Sequence, residues 1–160
     1  MLLLAAGVLW YLFRPCLFVR GEDQILAIVP AEKNMEFSLH FIHSVQKTPV
    51  LEILRVNEAR DGFVLDSTRY QSFGVGLPFL ASEGSFHEEG DYFVLDGMQR
   101  RFPSLSLRPG VGTELTLRIR EKEYRLYELV PTGSRVDLYL APYYKQWLSY
   151  SSERDEANDG

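Results

Sequence analysis

One cysteine, Cys16, stands among 160 residues. That excludes an internal disulfide and any thiolate-based zinc site. Histidines are few as well: His40, His43 and His87. His40 and His43 would project from opposite faces of one strand, so they do not readily share an ion, and neither a metal nor a cofactor is expected. Positive charge is scarce. Seventeen Lys and Arg against 22 Asp and Glu leave a net charge of −5, and no basic patch is interleaved with aromatics. This charge balance disfavours general binding to a phosphate backbone, and no nucleic-acid partner is expected. No apolar stretch beyond the N-terminus keeps a helical period over three turns, and no internal repeat is present.

What is present suits a β-protein. Hydrophobic residues make up 46% of the chain and charged ones 24%, ordinary for one folded domain. Aromatics reach 13%, and flat rings pack well on a pleated surface. Strand patterns fall at residues 17–20, 25–29, 36–43, 50–56, 63–70, 92–95, 105–108, 115–120, 124–130 and 136–140, with Gly, Pro and Asp punctuating the gaps. The fold predicted is all-β: a single antiparallel β-sandwich or partly open β-barrel over residues 20–150, behind an N-terminal hydrophobic helix. Leu115, Leu117 and Ile119 alternate with polar residues. A turn at Glu121-Lys122 would set Ile119 beside Tyr124 and Leu117 beside Leu126. Residues 79–89 read as an exposed acidic loop, and residues 151–160 as a disordered acidic tail.

Residues 1–13 carry no charge, and Arg14 is the sole charge before Arg20. Nineteen helical residues would cover about 28 Å, close to a bilayer's hydrocarbon core. Residues 1–19 are therefore expected to be a membrane anchor or uncleaved signal, with a buried first helix or strand as the alternative. No basic n-region precedes the run, Arg14-Pro15 interrupts its end, and no small-residue cleavage site follows.

The run His43-Ser44-Val45-Gln46-Lys47-Thr48-Pro49-Val50-Leu51-Glu52 is a short polar loop between apolar strands. A hairpin centred between Lys47 and Thr48 pairs His43 with Glu52, Phe41 with Leu54 and Leu39 with Val56. His43–Glu52 is then the one polar pair on an apolar face, and slipping by one residue worsens the match. Such a pair acts either as base and orienter or as a satisfied structural contact that fixes the register. Strand parity turns Ser44 away from His43, a poor start for a Ser–His hydrolase. A second run, Ser72-Phe73-Gly74-Val75-Gly76-Leu77-Pro78, lacks the glycine and lysine signatures of nucleotide loops. It reads as a structured turn or a contact loop.

Together, His43-Ser44-Val45, Thr48-Pro49-Val50, Glu52, the run from Ser72 to Pro78 and Arg108 resemble an uncharacterised bacterial family. It is a domain of unknown function commonly encoded beside TRAP transporters of the TAXI class. The resemblance implies an extracytoplasmic accessory component, anchored in the cytoplasmic membrane with its β-domain on the periplasmic side. Its partner would be the transporter permease or its substrate-binding protein. The contact residues expected are His43, Ser44, Thr48, Pro49, Glu52, Phe73, Gly74, Gly76, Leu77, Pro78 and Arg108. The alternatives are a small hydrolase-like enzyme using His43 and Glu52, and a ligand-binding module with a pocket between two sheets.

Overall fold

In the computed structural model, residues 2–71 and 84–147 are described. In chain order they form α1 (Leu2–Phe13), β1 (Pro15–Arg20), β2 (Ile25–Pro30), β3 (Glu36–Ile42), β4 (Pro49–Val56), β5 (Phe63–Tyr70), β6 (Ser85–Glu89), β7 (Tyr92–Phe102), β8 (Ser104–Leu107), β9 (Thr116–Ile119), β10 (Lys122–Arg125), α2 (Leu126–Leu129) and β11 (Val136–Pro142). Two antiparallel sheets result. A four-stranded sheet runs β2-β1-β11-β8, and a seven-stranded sheet runs β10-β9-β3-β4-β5-β7-β6. Among the described residues they do not close into a barrel, so of the two architectures expected the barrel falls away.

The core lies between the sheets. Leu17, Val19, Val136 and Leu138 from the smaller sheet meet Phe37, Leu39, Leu54, Leu65, Leu95 and Leu117 from the larger one. On β3 the even spacing of Phe37 and Leu39 sends both inward, while Ser38 and His40 face out. Burying each such leucine stabilises the fold by about 2 kcal/mol. Gly97 (φ +71°) lets β7 bulge, and the register steps from Ser67–Asp96 to Leu65–Arg100 across it. That bulge drops Met98 into the interior. A continuous strand thus replaces the turn that Asp96-Gly97 suggests.

Several expectations are corrected. The segment 1–19 divides at Arg14, because Pro15 lacks an amide hydrogen and biases its predecessor away from helix. Residues Pro15–Arg20 form β1, an interior strand of the smaller sheet, with Cys16, Leu17, Phe18 and Val19 fully buried. The helix that remains has 12 residues, about 18 Å long. Among the described residues no helix is long and apolar enough to cross a membrane. Ser85–Glu89 is an edge strand rather than a loop. Strand β10 ends at Arg125, and Leu126–Leu129 turns into α2. The β9–β10 turn sits at Arg120-Glu121, with Ile119 opposite Lys122 and Leu117 opposite Tyr124. Arg120 supplies the positive φ (+55°) that this tight turn requires. The tail at 151–160 lies outside the described residues.

Candidate functional site

The loop after β3 is a four-residue turn, Ser44 to Lys47, closed by the His43 amide donating to the Thr48 carbonyl at 2.9 Å. Lys47 takes φ +58°, and its amide returns to the His43 carbonyl at 2.9 Å. The hairpin centre is therefore between Val45 and Gln46. The imidazole of His43, 9% exposed, folds over the turn. Its Nδ1 accepts the Val45 and Gln46 amides at 3.3 and 3.1 Å. An acceptor Nδ1 places the ring proton of the neutral imidazole on Nε2. His43 is thus a cap for backbone donors, and it holds Ser44, Val45, Gln46 and Lys47 outward, with Val45 70% exposed. Ser44 lies in the turn, so strand parity does not govern it. Thr48 is half-buried, with its Oγ1 shielded from solvent, and Pro49 opens β4.

The proposed pairing of His43 with Glu52 is corrected. Glu52 stands opposite Leu39 on β3 and Thr68 on β5, and Phe41 stands opposite Val50. The register differs by four residues from the one expected. Along the strand Glu52 therefore lies about 13 Å from the level of His43. Its neighbours across the core face run Leu117, Leu39, Glu52, Thr68 and Leu95. Burial pushes the Glu52 carboxyl up from its ordinary value, and the Arg100 guanidinium opposes that rise.

Arg108 is separate from this region. It follows β8 on the smaller sheet, is exposed, and donates to the Gly133 carbonyl at 2.8 Å, joining two loops. Phe73, Gly74, Gly76, Leu77 and Pro78 lie outside the described residues. The structure therefore brings His43, Ser44, Thr48 and Pro49 together, and places Glu52 and Arg108 elsewhere.

A second feature appears on the outer face of the larger sheet. An open groove of about 500 Å³ is lined by His40, Leu51, Arg69, Thr116, Arg118 and Glu123, and it reaches Ile42 and Pro49 beside the His43 turn. Pairing explains its lining: Thr116, His40, Leu51 and Arg69 are successive neighbours across four strands. The His40 Nε2 and Ser38 Oγ lie 3.0 Å apart. Burial, and then the nearby Arg118 charge, hold the His40 pKa down against an opposing pull from Glu123. At neutral pH the imidazole is therefore uncharged and available for hydrogen bonding. Arg118 is paired with Glu123 at 2.8 Å, and Arg69 with Glu89. Among the described residues no carboxylate hydrogen-bonds His40, so the Ser38–His40 contact has no third group to orient it. Nor do any described residues gather three potential metal ligands. The sequence signal for this groove is the outward parity of Ser38 and His40; its other walls come from strands distant in sequence.

Residues 37–126 match DUF1850, a domain of unknown function. The match covers more than half of the chain, which therefore belongs to this family. Neither a curated protein nor a solved structure matches it.

Proposed function

We propose, from this family membership, that the protein is a membrane-held accessory component of a TRAP-type solute transporter of the TAXI class. Its β-domain stands on the extracytoplasmic side and acts by contact with the permease or its substrate-binding protein. The observation that carries the reading is the use of His43. Its Nδ1 is occupied by two turn amides, so the imidazole shapes a fixed protrusion rather than serving as a free base. Val45 at the tip gives an apolar contact point, and the groove beside Ile42 and Pro49 extends the surface. The motif around Gly74 and Pro78 supplies further contact residues in this proposal. Helix α1, whose Leu4, Val8, Leu9 and Trp10 are exposed, supplies the membrane attachment.

The hydrolase alternative loses its specific support, because the pair it needs is separated along the strand. Co-purification from mild detergent with a co-expressed TAXI-class TRAP permease tests the proposal. Wild-type protein should recover the permease, and Val45→Asp should lower recovery about tenfold while leaving the melting temperature unchanged. A monodisperse protein that never associates with permease or binding protein would overturn it.

A further inference from the structure

At the root of α1 a cavity of about 440 Å³ opens, walled by Trp10, Phe13, Pro30 and Ala31 and carrying Arg14 and Arg60. Three chain segments meet there: the end of α1, the end of β2, and the turn between β4 and β5. The Arg14 guanidinium lies 4.1 Å from the Tyr11 ring centre and 4.9 Å from that of Tyr143. Two aromatic faces thus hold the cation in place, and its Nε is buried without a hydrogen-bond partner. Arg60 sits in a tight turn with φ +57°, its amide donating to the Asn57 carbonyl at 3.1 Å. Glu32 also lines the cavity, but Arg120 neutralises it through an ion pair at 2.6 Å. The cavity is therefore a positively charged, half-apolar pocket on a chain whose net charge is −5.

We infer that this pocket receives the phosphate of an anionic glycerophospholipid of the phosphatidylglycerol class, an inference that rests on the membrane-held reading. The chemistry matches part by part. Arg60 suits a phosphodiester, for which guanidinium is a well-shaped donor, and Arg14, held against Tyr11 and Tyr143, adds positive charge at the pocket wall. Two like charges disfavour a headgroup that carries its own cation. Trp10, an amphipathic ring of the kind that settles at a bilayer surface, meets the glycerol region, and Phe13 meets the upper acyl region. The exposed apolar side chains of α1 lead away from the pocket, so a lipid seated there has apolar surface to lie along.

Full-length protein is tested for co-sedimentation with vesicles of phosphatidylcholine alone and with vesicles containing about one-third phosphatidylglycerol. Binding to both is expected, tighter on the anionic vesicles. Arg60→Gln should weaken binding to anionic vesicles about fivefold and leave binding to phosphatidylcholine unchanged. Arg101→Gln, an exposed arginine on β7 with the same change in net charge, should leave both unchanged. Equal binding to the two vesicles, or an equal loss in both variants, would overturn the pocket while leaving membrane attachment in place. Failure to bind either vesicle would overturn both.

Discussion

At Glu52 a carboxylate stands in a row otherwise made of Leu117, Leu39, Thr68 and Leu95, on the face that packs against the second sheet. Burial raises its folded pKa above the ordinary value, so the folded chain takes up this proton before the unfolded chain does. The stabilisation belongs to the protonated form. It is fully present below the unfolded pKa and lost as pH rises through the folded one. Glu52→Gln should therefore be more stable than wild type by about 1–2 kcal/mol at roughly pH 8, with the difference shrinking toward pH 4. Urea unfolding at the two pH values measures this; a difference that does not change with pH would remove burial as the cause. His43 works by different physics. Its contribution is acceptance of backbone amides in a turn, and Glu52 stands opposite Leu39 instead.

Strand parity was legible in the residues, because the pleat is local and Phe37, Leu39 and Phe41 alternate regardless of partners. Register was not. Moving β4 by four residues against β3 keeps every inward residue inward, so apolar matching cannot separate the two alignments. The turn decides, through a positive φ at Lys47 that sequence chemistry does not favour. Strand β6 escaped notice for a related reason. All its residues, including His87, Glu88 and Glu89, are exposed at a sheet edge, where charge discourages pairing with another chain. The observed register has a direct test. His40→Cys with Leu51→Cys places two thiols on directly opposed residues and should form a disulfide on mild oxidation. His43→Cys with Glu52→Cys should stay reduced, and cross-linking of this second pair would restore the alternative hairpin. Native Cys16 is fully buried and does not compete.

Across the whole molecule, the seven-stranded order interleaves segments far apart in sequence: β9 lies beside β3, and β7 separates β5 from β6. The groove over His40 and Arg118 arises from that interleaving, which is why no contiguous motif announces it. The root of α1 is built in the same way. Tyr143 and Tyr144 follow β11, and their amides donate to the Arg14 and Leu12 carbonyls, both at 3.0 Å. Their rings meet Tyr11 and Phe13, and Trp147 packs edge-on against Tyr143. Ring contacts of this kind contribute about 1 kcal/mol each. Tyr143→Ala should loosen the helix from the sheets without unfolding the domain. A spin label at Val8→Cys would report this as faster motion, with thermal unfolding nearly unchanged. Unchanged label mobility would show that β1 alone orients the helix.

One residue, Arg14, separates α1 from β1, and β1 is bonded on one side to β2 and on the other to β11. This determines how the protein bears load. A pull along β1 from the helix cannot peel the strand away one bond at a time; it must shear the bonds to both neighbours together. If α1 is held at a membrane as proposed, tension on it would be shared across the smaller sheet, and the helix end would be the mechanically resistant end of the domain.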